Sequence, residues 1–345
     1  MTRWRWGGVA GVLFAACASA PPAAPEASGG GGFVAIEDAA HLSVEAPPVP
    51  AVTHFVLAGG TVLTAAGQTF APGWIEVSAG RIVALGAGAS PIVGVQTIDL
   101  GGKWVTPGLI DVHSHLGVYP APQVRATDDG NEATAPTTPG VWAEHSFWAE
   151  DPNLQRAAEG GVTSLEILPG SANLIGGRGV TLHLRPMRGG RAMRFPGAPD
   201  TLKMACGENP KRVYGGKGGA PSTRMGNVRG YREAFAAAAR YLKDHGKKKL
   251  EDLPRDLAQE TLVGVLEGRI LAQVHCYTAQ DMISFLQVAK EFGFKVRAFH
   301  HALEAYKVRD LLAQNDVGVA TWADWWGFKL EAWDAVPENA ALLET

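Results

Sequence analysis

The stretch Val105-Thr106-Pro107-Gly108-Leu109-Ile110-Asp111-Val112-His113-Ser114-His115 decides how this chain is read. It is an apolar strand that runs into polar residues at its C-terminal end, with a Pro-Gly break before it. Side chains two apart on a strand share a face, so His113 and His115 point the same way. Two imidazoles so placed can grip one metal ion. An H-x-H pair alone is as easily an accident of core or surface, and its surroundings give it meaning.

Downstream, strand and helix patterns alternate. Asp151 caps a helix with Pro152 at its first position and a stop at Gly160-Gly161. Strands follow at TSLEILPG (163–170), GVTLHLRP (179–186), TLKMACG (201–207), ILAQVHCY (270–277), KVRAFHH (295–301) and DVGVATWA (316–323). After the fifth strand, Thr278 and Asp281 form a capping box, and Met282, Phe285, Leu286 and Ala289 share one helix face. Repeated strand–helix units imply a parallel sheet covered on both faces. About seven strands across 105–323 fit most of an α/β, (β/α)8 TIM-type barrel in which strand eight is missing.

Upstream, residues 54–104 read as a run of short strands broken at glycines, a small antiparallel domain of β-sandwich type. Residues 21–53 are rich in Pro, Ala and Gly and read as a flexible linker. Residues 1–20 combine Arg3 and Arg5, an apolar stretch too short to span a bilayer, and an Ala18-Ser19-Ala20 cleavage pattern, which together read as a signal peptide. Cys17 either carries a lipid or is discarded with the leader. The expectation is an exported protein, periplasmic or lipid-anchored in a bacterial envelope, with no membrane contact beyond that lipid.

The composition agrees. Of 345 residues, 46% are hydrophobic and 19% charged, which excludes a disordered chain. A net charge of −3 gives no general attraction to nucleic acid. Three cysteines without paired spacing exclude a disulfide scaffold and a Cys-ligated zinc finger. Cys206 and Cys276, three and one positions from Lys203 and His275, are expected to be buried thiols that point away from the barrel mouth. Lys247-Lys248-Lys249 reads as a solvated helix end, and the tryptophans read as packing residues.

His275 and His301 each end a strand, at the rim where barrel active sites lie. Of the adjacent pair, His301 precedes the loop and is read as the ligand, leaving His300 to pack outward. Lys203 sits inside a short apolar strand, where an ammonium is costly. It is either a snorkelling or ion-paired lysine, or a lysine carboxylated by CO₂ into an anionic oxygen ligand; Glu208 is the alternative oxygen donor. Zinc accepts such nitrogen and oxygen ligands. Arg178, Lys211 and Arg212 read as solvated loop charges rather than holders of a substrate carboxylate.

These residues carry a resemblance. From about residue 55 onward the chain resembles the amidohydrolase superfamily, near its imidazolonepropionase-like and exported dipeptidase-like members. The matching pieces are Leu57-Ala58-Gly59-Gly60-Thr61-Val62, Gly80-Arg81-Ile82, VTPGLIDVHSH, GGVTSLEILPG, the lysine strand, and the histidines at 275 and 301. The resemblance implies a metal cage of His113, His115, Lys203, His275 and His301 holding one or two divalent ions, zinc first. It implies hydrolysis of a C–N bond in a small-molecule or peptide substrate, and it allows an oligomer. It also implies a strand-eight aspartate that moves the proton. No such residue is readable here, so the catalytic residue is left unassigned and the chain reads as truncated and impaired. Asp324 comes one strand too early and reads as a loop residue. The alternative of another class is a non-catalytic exported metal-binding or interaction protein. LKMACGENPKRVYG and PSTRMG look like subgroup features whose role the sequence leaves open.

Overall fold

The computed structural model describes residues 53–185, 187, 189–245 and 254–344. The leader, Cys17, all but the last residue of the linker, and Lys247-Lys248-Lys249 lie outside these. Among the described residues no helix is long and apolar enough to cross a membrane.

Among the described residues the N-terminal part is a single five-stranded sheet, without the second layer of the expected sandwich. Its strands are β1 (His54–Leu63), β2 (Thr69–Ser78), β3 (Arg81–Ala87), β4 (Gln96–Asp99) and β5 (Trp104–Val105). The order is β3-β2-β1-β4, with β5 also on β1. The first three are antiparallel, as expected, but β4 and β5 run parallel to β1. Ala79 and Gly80, both at positive φ, make the two-residue turn between β2 and β3, a geometry matched to the strand twist.

The second sheet has seven strands, each at a place the sequence pattern indicates. They are β6 (Leu109–Ser114), β7 (Val162–Ile167), β8 (Ile175–His183), β9 (Thr201–Ala205), β10 (Leu271–Cys276), β11 (Val296–His301) and β12 (Gly318–Thr321). They lie in sequential order from β12 to β6. All neighbours are parallel except β8, which is antiparallel to both β7 and β9. Connection length explains this departure. Seven residues separate Ile167 from Ile175, whereas a parallel crossover needs about a dozen or more.

Beyond β12 the described chain forms a 3-10 turn (Leu330–Ala332) and a helix (Asn339–Glu344), with no eighth strand. β6 and β12 are therefore the ends of the sheet. β9 is buried at every position, as a strand covered on both faces must be. Leu202, Met204, Val274 and Phe299 pack with Phe235, Phe285 and Leu286 of the covering helices. The helix Ala279–Phe292 starts as its capping box foretells: Thr278 Oγ1 accepts from the Asp281 N–H at 3.2 Å.

The cysteine expectation is overturned. Cys206 and Cys276 form a disulfide, with Cα atoms 5.0 Å apart. Both side chains do leave the mouth, but they sit on adjacent strands, where Cys206 N–H also donates to the His275 carbonyl at 2.7 Å. Two thiols directed the same way from neighbouring strands meet each other.

Candidate metal centre

The ends of β6, β9, β10 and β11 bring the histidines together. His113 Nε2 lies 3.3 Å from His115 Nε2. The His113 ring centroid is 4.9 Å from that of His301, which is 4.5 Å from that of His275. Lys203 is fully enclosed on the adjoining strand, its Nζ donating to the Pro169 carbonyl at 3.0 Å. The structure thus gathers His113, His115, His275 and His301, with Lys203 packed among the same strands. Glu208 opens the helix Glu208–Gly215 and pairs with Lys329 at 3.1 Å.

His301 reaches the rim by an unexpected route. Facing residues of β10 and β11 are His275↔His300 and Cys276↔His301. Alternation therefore turns His300, not His301, toward the interior side that His275 occupies. His300 is buried, with Nδ1 2.8 Å from His113 Nδ1 and Nε2 2.8 Å from Gln273 Oε1. The expectation that it packs outward is wrong. His301 and Ala302 have φ of 68° and 40°, a left-handed pair that swings the His301 ring back over the strand ends. Non-glycine residues enter that region at a cost and only under strong local support. The support is a cluster of aromatic rings around His301. Tyr277 stacks on one side of His301 (5.2 Å between centroids, 10°), and Trp325 and Trp322 stack on it at 5.1 and 4.7 Å.

The electrostatics favour neutral imidazoles. Burial first, then the nearby Lys203, lowers His115 to about 4 and His300 to about 3. Burial likewise drives His113, His275 and His301 far below their ordinary value. It also lowers Lys203 to about 7, Glu166 opposing, and raises the Glu166 carboxyl to about 7. Neutral imidazole is the form that ligates metals.

Among the described residues, no three His, Cys, Asp or Glu side chains already stand at metal-binding geometry. The donor set nonetheless fits a cation. His115 Nδ1–H donates to the Leu168 carbonyl at 2.7 Å, which leaves Nε2 as a lone pair facing His113. Two nitrogens on a tetrahedral zinc, each about 2.0–2.1 Å from it, stand about 3.3 Å apart, the spacing of this pair. His275 Nδ1 and His301 Nδ1 are buried with no hydrogen-bond partner. An unpaired buried polar atom costs about 1–3 kcal/mol, and a shared ion removes that cost.

Other sequence readings change with the structure. Arg178 lies in β8 rather than a loop, donates to Thr261 Oγ1 at 2.9 Å, pairs with Asp200 at 3.3 Å and covers Trp142. Lys211 and Arg212 belong to the helix Glu208–Gly215. Asp324 is exposed in the segment after β12. The subgroup motifs converge on Glu331. Its carboxylate accepts from Glu208 N–H at 2.8 Å and from Arg224 of PSTRMG, and faces Lys329 at 3.5 Å. Lys329 in turn lies 3.8 Å over the Tyr277 ring. Gln273, which bonds His300, and Glu166, which bonds Gln273, were missed from sequence. Gln273 lies two before His275 on one face, a signal that was readable.

The chain as a whole is similar to known proteins. No protein-family model matches the chain. An amidohydrolase structure from Thermotoga maritima superposes with a TM-score of 0.78 and 35% identity, covering 84% of this chain and 76% of that one. Amidohydrolase tasK of Hapsidospora irregularis is 36% identical over 269 residues, 71% of this chain and 27% of that protein. An imidazolonepropionase of Pseudomonas putida is 34% identical over 113 residues, 28% of each chain. The chain spans about a quarter of the length of the curated relatives it matches.

Proposed function

Because the chain belongs to the amidohydrolase family, we propose that it serves as a hydrolase of C–N bonds, of amide or peptide type, with one or two divalent ions, zinc first, at the strand ends. His113, His115, His275 and His301 would hold the metal, and Lys203, once carboxylated, would add an oxygen donor. The observation that carries the reading is the 3.3 Å spacing of His113 Nε2 and His115 Nε2.

A divalent ion there supplies Lewis acidity toward a carbonyl oxygen and activates water near neutral pH. The chain's own residues do the rest. The Leu168 carbonyl holds the His115 ring by its Nδ1–H. Tyr277, Trp322 and Trp325 stack on His301 and fix the plane of its ring. Burial lowers the Lys203 amine to about 7, so an uncharged nucleophilic nitrogen is available to bond CO₂ and release a proton. The leader reading puts this activity in the cell envelope.

The test is zinc-restored protein assayed on N-acyl amino acids, dipeptides and cyclic amides, with ammonia release monitored in parallel. Cleavage that is lost in the His113→Ala/His115→Ala double variant supports the reading. Ammonia release from an aminated heterocycle moves the assignment to deamination. No turnover of any class at full zinc occupancy rejects it.

A further inference from the structure

Behind His113 runs a chain of polar side chains, one from each of four strands. His113 Nδ1 (β6) meets His300 Nδ1 (β11) at 2.8 Å, and His300 Nε2 meets Gln273 Oε1 (β10) at 2.8 Å. Gln273 Nε2 donates to Glu166 Oε2 (β7) at 3.3 Å. His300 and Gln273 are 1% and 6% exposed. Such networks are costly unless every member is satisfied, and the polarity of each bond constrains the next.

With Glu166 ionised, the polarity has one consistent direction. A carboxylate accepts, so the Gln273 amide presents its NH₂ to Glu166 and its carbonyl to His300. That carbonyl also accepts, so His300 carries its proton on Nε2 and a lone pair on Nδ1. The lone pair needs a donor, so His113 is protonated on Nδ1 and bare on Nε2. His115 Nε2 is bare too, because its own Nδ1–H is given to Leu168. Two lone pairs then face each other across 3.3 Å, which a cation resolves.

We propose that Glu166, Gln273 and His300 are positioning residues that lock His113 in the tautomer whose Nε2 is free to ligate, with the orientation of the Gln273 amide as the setting. The proposal rests on the metal reading above. It gives His300, the first of the adjacent histidines on β11, a role distinct from that of His301.

The test uses the full chain labelled with [15N]histidine, metal-free at pH 8, where long-range proton–nitrogen correlation reads each tautomer. The His113 signal is assigned by its loss in His113→Asn. The expected wild-type pattern is protonated Nδ1 and bare Nε2. His300→Leu, shown folded by thermal melting, should lose that pattern and bind zinc about 10–100-fold more weakly, the range for supporting partners of a ligand. His300→Asn keeps an acceptor oxygen near the Nδ1 position and should restore both. If His300→Leu does not fold, Gln273→Met removes the carbonyl at similar volume and should give the same losses. A wild-type His113 protonated on Nε2 overturns the proposal. So does a folded His300→Leu or Gln273→Met with wild-type tautomer and affinity, or a His300→Asn as defective as His300→Leu. If wild type binds no zinc at all, the metal reading fails, while the tautomer pattern still decides this proposal.

Discussion

β9, β10 and β11 form one kind of barrel wall and β6 another, although the candidate site needs both. In β9 and β10 nearly every residue is buried, under the helices that carry Phe235, Phe285 and Leu286. In β6, Leu109, Ile110 and Val112 are 56%, 68% and 51% exposed. The first wall supplies Lys203, His275, His300 and His301; the second supplies His113 and His115. His275 and His301 are thus held by close packing. The other pair is held by polar contacts to its neighbours, the Leu168 carbonyl and His300. Position in a barrel pattern does not by itself say how rigidly a ligand is held.

The sharpest way to break the comparison is to truncate one apolar side chain in each wall. Phe285→Ala should lower unfolding stability by about 3–5 kcal/mol, and Ile110→Ala by less than about 0.5 kcal/mol. Urea denaturation of both variants measures the difference, and equal losses would show that β6 is covered in solution.

A comparable effect is expected from pH. In metal-stripped protein the buried His115 is held near 4 and His300 near 3, against about 6.5 when unfolded. As pH falls below 6.5, the unfolded chain takes up protons first. Stability is therefore lost progressively from pH 6.5 and the loss levels off only below the folded values. His115 alone, shifted from 6.5 to about 4, accounts for roughly 3 kcal/mol. Thermal midpoints of the stripped protein from pH 7 to pH 4 test this; a flat profile would mean that these imidazoles are solvated.

Gly207 offers a smaller effect at the junction of the packed wall with the Glu331 cluster. Its φ is +73°, and a Cβ there would stand 2.5 Å from Glu331 Oε1. Gly207→Ala should cost about 1–3 kcal/mol, seen as a lowered urea midpoint. The smallest stability effect is expected for Ile110→Lys. It should leave the melting temperature nearly unchanged while reducing association through an exposed strand edge, measured by light scattering.

Much of this was legible in sequence, for identifiable reasons. All seven barrel strands follow from apolar runs bounded by turn residues, and the H-x-H pair follows from period-two alternation. What was misread depended on which strands are neighbours and in what register. Cys206 and Cys276 each point from the mouth, but only their adjacency makes them a disulfide. His300 was assigned outward because His301 was taken as the inward member of the pair. The pleat puts His300 inside, and a left-handed backbone that no alternation pattern encodes returns His301 to the rim. The antiparallel β8 was readable from its short connection, had loop length been weighed.

The central claim is that His113 and His115 share one ion. Anomalous diffraction at the zinc edge from zinc-soaked crystals tests it most directly. The account predicts a peak about 2.0–2.1 Å from both Nε2 atoms. Zinc bound only elsewhere, with the two imidazoles joined by a proton instead, would contradict it.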